Sequence, residues 1–379
     1  MEQRTKRRIA LSAYFFLTGV GFSTWTSRIP TIKENLQINE AELGSILLVM
    51  PIASILGLPL SGVLVTKYET RWPMLLGFLA YALSLYTIAY AETVTMLVIS
   101  VFLVAFFMRI VNISMNTQAI TVQKLFTKKI NGSFHALWSL GGITGVGITT
   151  LLIWLDVSMK AHLLFFTLVT LPVGFWAFTR LIRGDQSSSG NKFTIRKPDP
   201  YIMSLGLLIL FAAICEGGMF DWSGIYFKEV IGTDIFTFGF LLFMICMTIS
   251  RFISDWVIER LGMKGTFTCC ALLIGLGIGI AVGFPSLYPA MAGFALVGFG
   301  TAPIIPMALL QAGESKKYST GIAVSIIATY ATSGMLIGPP IIGYLAHAMN
   351  LRMAFLFLLL MGLGMIPVSR LFFRIKSKT

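Results

Sequence analysis

Long apolar runs alternate with short polar breaks along this chain, and the runs set its architecture. Twelve stretches stay apolar for about the length of a bilayer crossing: 9–28, 41–66, 72–90, 94–117, 132–155, 161–180, 201–227, 235–258, 265–284, 287–311, 319–348 and 351–372. A hydrocarbon core of roughly 30 Å needs about 20 such residues in a helix. The strands of a membrane barrel would be about 10 residues long and would alternate, whereas these runs are continuous. A helix also satisfies its own backbone N–H and C=O groups, which lipid cannot do. The pattern therefore predicts an all-α polytopic membrane protein with about twelve transmembrane helices. The basic start, Met1 to Arg8, leads into a full-length span with no small-residue cleavage site after it. That predicts a retained first helix and not a signal peptide.

Composition agrees: of 379 residues, 56% are hydrophobic and 12% charged, about half the charged share of a soluble domain. The net charge of +13 raises the question of nucleic acid, and the placement of the charges answers it. With both basic termini on one side and alternating loops, 23 of the 29 Lys and Arg share the side of the termini. Five (Arg28, Lys33, Lys160, Lys228, Arg352) fall opposite, and Arg109 is left inside a span. The positive-inside rule then places both termini in the cytoplasm and requires an even number of spans. The basic excess reads as topology in a bacterial inner membrane, with the bilayer as partner and no role for nucleic acid.

Several function classes drop out. The cysteines, Cys215, Cys246, Cys269 and Cys270, lie in apolar spans without metal-ligand spacing, so they read as packing residues and no metal is expected. No Walker phosphate loop and no nucleophile–base constellation stands out, so neither ATP-driven transport, nor an enzyme, nor a cofactor is indicated. Gly141, Gly142, Gly145 and Gly147 lie inside a span and read as close helix packing.

The longest polar stretch, Arg180 to Pro200, contains Ser187, Ser188, Ser189, Gly190, Lys192, Arg196 and Lys197. It reads as a cytoplasmic linker at 181–200 between two six-helix halves, 1–180 and 201–379. Internal repetition supports this at an offset of 193. Thr66-Lys67 falls on Glu259-Arg260, and Arg71 on Lys264. Gly141 and Gly145 fall on Gly334 and Gly338, and Gln118-Ala119 on Gln311-Ala312. Parallel halves related in this way, with a site between them near mid-bilayer, are a known transporter plan.

The loop Glu259-Arg260-Leu261-Gly262-Met263-Lys264 resembles the acidic-basic-x-Gly-x-basic signature of the major facilitator superfamily. Gly62 through Arg71 resembles the same motif but departs from it, with Thr66 in place of the acid and Glu69 in place of the glycine. The resemblance implies a cytoplasmic gate latch at Gly62, Lys67 and Arg71 and at Glu259, Arg260 and Lys264. Both departures bear on how firmly a first-half latch holds. Within the superfamily the chain resembles the group around the rhizopine-locus membrane protein, a neighbour of the fucose permeases. That likeness rests on Trp25 to Pro30, His135 with Ser139 and Gly141, Glu216-Gly217 with Asp221-Trp222, and Gly338-Pro339-Pro340 with Gly343-Tyr344. It covers essentially the whole chain and implies a twelve-helix transporter acting as a monomer.

Charges inside spans are the candidates for chemistry, since a charge at the bilayer centre costs about 3 kcal/mol or more. Glu216 lies near mid-depth of the seventh span, where burial disfavours the charged form of a carboxylate. That behaviour suits a proton carrier; a structural hydrogen bond is the alternative. Arg109 lies equally deep in the fourth span. Its fork of donors suits a carboxylate or several hydroxyls, and it could instead pair with Glu216. Asn112 and Asn116 share its helix face, so the three form a candidate solute-binding stripe or an interhelical clamp. Asp221 is the repeat partner of Arg28, and the two could form an outer-gate ion pair or be solvated separately. Asp221 and His135 are further proton-coupling candidates, His135 for its titration range unless it merely caps a helix. His162 and His347 are given no role. Arg251 and Asp255, one turn apart, are expected to brace the cytoplasmic gate. Trp25, Trp138, Trp222 and Tyr226 adjoin these polar positions and suit the apolar face of a sugar ring, or helix packing.

Three functions follow from these residues: a proton-coupled importer of a sugar- or cyclitol-like solute, a proton-coupled exporter of amphipathic compounds or a metabolite, and a membrane sensor that no longer transports. Glu216, the Arg109 stripe and the resemblance favour the first. The absence of a Gly-Pro pair in the fifth span, where Gly145-Val146-Gly147 stands, leans from export toward import.

Overall fold

The computed structural model describes residues 2–128, 130–186, 199–318 and 320–377, with the side chains of residues 320 and 321 excepted. The serine- and lysine-rich centre of the expected linker, 187–198, and also Lys129 and Lys378, lie outside the described residues. Among the described residues thirteen α-helices follow one another: α1 Gln3–Leu36, α2 Glu40–Leu47, α3 Val49–Lys67, α4 Arg71–Thr87, α5 Val94–Gln123, α6 Asn131–Trp154 and α7 Met159–Phe178, then α8 Pro200–Ile225, α9 Phe238–Gly283, α10 Leu287–Thr301, α11 Ile304–Gly313, α12 Thr320–Ala348 and α13 Leu351–Lys376.

Among the described residues, eleven helical stretches are long and apolar enough to cross a membrane. The count of eleven conceals a twelfth crossing. α9 has 46 residues and contains Gly262 at φ 66, ψ 166, a backbone conformation essentially reserved for glycine. A helix of that length would span about twice a bilayer core, so residues 238–261 and 263–283 are two crossings separated at Gly262. The all-α polytopic architecture read from the sequence is thus the one observed.

Local chemistry starts the helices where the sequence offers caps. The Thr93, Ser158 and Asn350 side chains accept from the amides of Met96, Ala161 and Met353. Asp199 does the same for Ile202, with Pro200 at the first helical position, where its missing N–H costs nothing. Asn39 and Glu42 form a reciprocal pair at the start of α2, each side chain accepting from the other's amide at 2.9 Å.

The chain forms two compact units, one of Met1–Gln37 and Ile46–Lys192, the other of Ile38–Ser45 and Phe193–Thr379. In the first, α1 packs on α6 and α7, while α5 packs on α3 and α4. In the second, α8 packs on α12 and α13, and the two parts of α9 take in α10 and α13. The short segment 38–45 belongs to the second unit although the sequence reads it as the start of a first-half span. The physical reason is at Gly343, where an added Cβ would lie 2.6 Å from Glu40 O and 2.8 Å from Gly44 Cα. Backbone meets backbone there, and Ser45 Oγ lies 2.8 Å from Tyr344 Oη.

The repeated glycines do the same work in both units. A Cβ at Gly145 would lie 2.6 Å from Val20 O; at Gly334, 2.5 Å from Leu210 O; at Gly338, 3.0 Å from Ile214 O. Gly141 sits against Phe16 O more tightly still. Hence α6 lies directly on α1, and α12 on α8, through small-residue contact.

Candidate functional site

In the second unit, α8 carries Glu216 into a buried position, its side chain 5% exposed, with Arg251 Nη2 of α9 3.8 Å from Oε1. The spacing is that of an ion pair and too long for a hydrogen bond. Among the described residues Glu216 has no closer polar partner. Arg251 is 34% exposed and also approaches Met247 Sδ at 3.9 Å. Arg251 thus meets Glu216 within its own unit, and Asp255, one turn further along α9, is exposed.

In the first unit, Arg109 is half-buried on α5 and its Nε donates to Ser54 Oγ of α3 at 2.8 Å. Its terminal amino groups bond no described residue. Gly57, one turn from Ser54, makes room for it: a Cβ there would lie 3.3 Å from Arg109 Cβ. Asn116 Nδ2 donates to Asn112 O at 2.8 Å and to its Oδ1 at 3.2 Å. The three polar side chains share a face of α5, and Arg109 retains a planar set of donors.

Arg28 is buried on α1, and its donors are used inside the first unit. Nε donates to His162 Nδ1 at 3.2 Å and Nη2 to Val157 O at 3.0 Å. His162 accepts through Nδ1, which assigns it a neutral ring with the proton on Nε2. Asp221 is half-buried on α8 of the second unit. No local pattern singles out His162, because its partner lies 134 positions away.

The aromatic candidates divide. Trp222 is fully buried and its Nε1 donates to Pro339 O at 2.9 Å. Tyr226 is fully buried, donates to Ala281 O at 2.8 Å, and packs on Phe355 and Phe294 at 4.4 and 5.6 Å. Both polar tips are thus tied to backbone carbonyls, which agrees with the helix-packing alternative read from the sequence. Trp25 is 3% exposed, and its Nε1 has no described hydrogen-bond partner, nor do the buried hydroxyls of Ser23 and Ser27. Trp138 is half-buried with its ring 5.6 Å from Phe22. His135 is exposed near the start of α6, its ring 5.5 Å from Phe15.

The first-half loop is held by residues the motif did not name. Glu69, the departure from glycine, accepts from Arg71 Nε at 2.6 Å and from the Gly184 amide at 3.1 Å. The Arg71 hydrogen bond, with further help from the Gly184 amide, holds the Glu69 carboxyl below the usual glutamate range. Asp185, buried, accepts from the Thr70 amide at 3.0 Å, from Thr70 Oγ1, and from Gln118 Nε2 at 3.1 Å. Lys67 lies exposed over the Tyr68 ring, and Gly62 only accepts from Thr66. In the second unit Glu259, Arg260 and Lys264 are exposed, with Arg260 over the Trp256 ring at 5.1 Å. There the repeat of Gln118, Gln311, is the anchor: Lys376 Nζ donates to its Oε1 and to Glu314 Oε2, both at 2.6 Å, and Tyr201 Oη donates to its carbonyl at 2.7 Å. The repeat of Gln118 in Gln311 was visible in the sequence; the partners of either were not. Among the described residues no group of three or more His, Cys, Asp or Glu could hold a metal ion.

The sequence matches the profile of the Major Facilitator Superfamily over residues 11–315 and 238–379. It is 30% identical over 358 residues to an MFS-type transporter of Yersinia pestis, covering 94% of this chain and 92% of that one. It is 26% identical to the membrane protein MosC of Rhizobium meliloti, covering 97% of this chain and 90% of the other. Among solved structures, a nucleoside transporter, NupG, aligns with TM-score 0.80 at 13% identity, over 98% of this chain and 100% of that one. A bacterial homologue of the human lysosomal transporter Spinster, inward-facing and unoccupied, aligns with TM-score 0.78 at 12% identity over 99% and 98%. At these identities the structures speak to the fold alone.

Proposed function

Because the chain belongs to the Major Facilitator Superfamily, we propose that it is a proton-coupled secondary transporter, not an enzyme, moving a small polar solute by alternating access. The solute is sugar- or cyclitol-like, the membrane is a bacterial inner membrane with both termini in the cytoplasm, and the protein works as a monomer.

The observation that carries the coupling is the Glu216–Arg251 pair. A buried ion pair recovers its desolvation cost only when geometry is good and hydrogen bonds complete it. At 3.8 Å, with no described hydrogen bond to the carboxylate, this pair is loose. Glu216 therefore has two comparable states: ionised and sharing charge with Arg251, or protonated with Arg251 released. A group so poised can load and unload a proton as its surroundings change.

The solute class is supported by Arg109, Asn112 and Asn116. Arg109 spends one donor on Ser54 and keeps a planar pair of amino groups for vicinal hydroxyls or a carboxylate. The likeness to a nucleoside transporter suits a hydroxylated solute, although at that identity it adds only the fold.

Reconstitution into liposomes tests the proposal. With an imposed proton gradient and a panel of sugars, cyclitols and nucleosides, wild type should accumulate a polar member against its own gradient. Glu216→Gln should retain solute-for-solute exchange and lose gradient-driven accumulation. Undiminished accumulation by the Gln variant would remove Glu216 from coupling. Extrusion of amphipathic compounds under the same gradient would replace import by the exporter reading.

A further inference from the structure

Where α1 begins and α7 ends, the first unit has a cleft of about 550 Å³ lined by Lys6, Arg7, Arg180 and Arg183 together with Gln3 and Thr179. Four cations line it and no acid. Arg180 is already engaged, donating to Trp176 O and Thr179 Oγ1 at 3.0 Å each with its guanidinium 4.5 Å from the Trp176 ring. Among the described residues the charged heads of Lys6 and Arg7 have no hydrogen-bond partner. Arg183 has only a longer-range attraction to Glu69, a carboxylate that Arg71 already holds at 2.6 Å.

Converging cations without counter-ions call for an anion, and the neighbouring surface says which kind. Leading away from the cleft, α7 exposes Leu168 (63%), Phe175 (58%) and Trp176 (41%), spaced along one helical face. Trp72, 44% exposed, lies beside Phe178 at 4.8 Å and under Arg71. Tryptophan and arginine together mark the headgroup level of a membrane protein. A small soluble anion needs only the cations; a phospholipid needs the cations and the apolar face next to them. Basic pockets at helix ends on the cytoplasmic side are suited to phosphate headgroups.

We propose that this cleft is a binding site for an anionic phospholipid, its phosphodiester on Lys6, Arg7 and Arg183 and its acyl chains along the Leu168–Phe175–Trp176 face. The tilt of α1 relative to α7 would then depend on the lipid of the surrounding leaflet.

Native mass spectrometry of the full-length protein in mild detergent tests this, with phosphatidylglycerol, cardiolipin or phosphatidylcholine added. The anionic lipids should be retained as discrete adducts and raise the melting temperature, and phosphatidylcholine should do neither. A Lys6→Gln, Arg7→Gln, Arg183→Gln variant should bind them more weakly by on the order of a hundredfold, about fivefold per cation. A variant with the same charge change elsewhere, Lys124→Gln, Lys128→Gln, Lys317→Gln, should bind as wild type does. Equal loss in both variants would reduce the effect to general charge and overturn the site. Inorganic phosphate or glycerol phosphate that displaces the lipid at millimolar concentration would make it a small-anion site and overturn the lipid assignment. If the triple variant fails to fold, Arg183→Gln alone, on an exposed residue beyond α7, should still show the fivefold loss; unchanged retention would refute the proposal.

Discussion

Replacing Gly145 by alanine should destabilise the protein, while the same change at Gly147, two residues along the same helix, should leave stability unchanged or raise it. Alanine is favoured over glycine in a helix interior by about 1 kcal/mol, so both substitutions start with a gain. At Gly147 nothing lies within 4 Å of the new methyl group, and the gain stands. At Gly145 the methyl would lie 2.6 Å from Val20 O, 3.0 Å from Val20 Cα and 3.1 Å from Ser23 Cβ. A carbon–oxygen contact relaxes near 3.3 Å, so α1 and α6 must separate locally by about 0.7 Å. The nearest atoms are backbone, which cannot swing aside as a side chain does. Overpacking of this kind costs about 1–3 kcal/mol, and the stiffness of the site points to the upper half, leaving a net loss of about 1–2 kcal/mol. The repeat extends the test. Gly334→Ala, with Leu210 O at 2.5 Å, should be at least as damaging, and Gly338→Ala, with Ile214 O at 3.0 Å, milder. Melting in detergent, followed by loss of the monodisperse peak, gives the order directly. Equal melting temperatures for the Gly145 and Gly147 variants would refute the claim that backbone contact, not helix propensity, governs this interface.

Three shorter predictions rest on single contacts. His162→Ala should strand Arg28 Nε in a buried site and cost about 1–3 kcal/mol, whereas His162→Gln, which keeps an acceptor, should recover much of it in the same melting assay. Trp222→Phe keeps the ring and loses the hydrogen bond to Pro339 O. It should cost about 1 kcal/mol with no change in solute affinity; a large affinity loss would restore Trp222 as a ligand contact. Glu69 is held below its usual value of 4.5, so its contribution is complete above that value and lost as pH falls through the lower, folded-state value. Hydrogen-exchange protection of the Gly184 amide should therefore drop at acid pH below 4.5 in wild type, and Glu69→Gln should show no such step.

The fold was legible because lipid leaves a chain few options. A run of about 20 apolar residues can satisfy its backbone in a bilayer only as a helix, so hydropathy alone marked out the long apolar helices. The break at Leu48 and the assignment of 38–45 to the second unit were not legible. They depend on Gly44 meeting Gly343, a contact between positions 299 residues apart. Glu216 and Arg109 were found by the cost of burying charge and Arg251 by its spacing to Asp255, but the contacts they make were not legible, because a partner is set by the rotation of a neighbouring helix. Trp222 and Tyr226 show the same limit: an aromatic ring with a polar tip serves a carbonyl as well as a ligand, and here both tips meet carbonyls. Glu69 was seen only as a fault in a motif, yet it anchors its loop, since a carboxylate can hold an arginine and an amide where glycine could hold neither.

The internal repeat separates scaffold from chemistry. At an offset of 193, Gly141, Gly145 and Gln118 recur as Gly334, Gly338 and Gln311, and these are the residues that bring helices together or anchor their ends. The charges of the candidate site do not recur: Glu216 corresponds to Ser23, Arg109 to Ala302 and Arg251 to Leu58, whereas Arg28 falls on Asp221, a charge of opposite sign. A glycine beneath a crossing backbone is required wherever that crossing occurs, so duplication retains it in both copies. A buried charge costs about 3 kcal/mol or more wherever it sits, so it persists only in the copy that uses it. The one unit thus holds a guanidinium with spare donors and the other a loose acid–base pair. Under the function proposed above, the two copies of one scaffold would take different tasks, solute recognition in the first and proton exchange in the second.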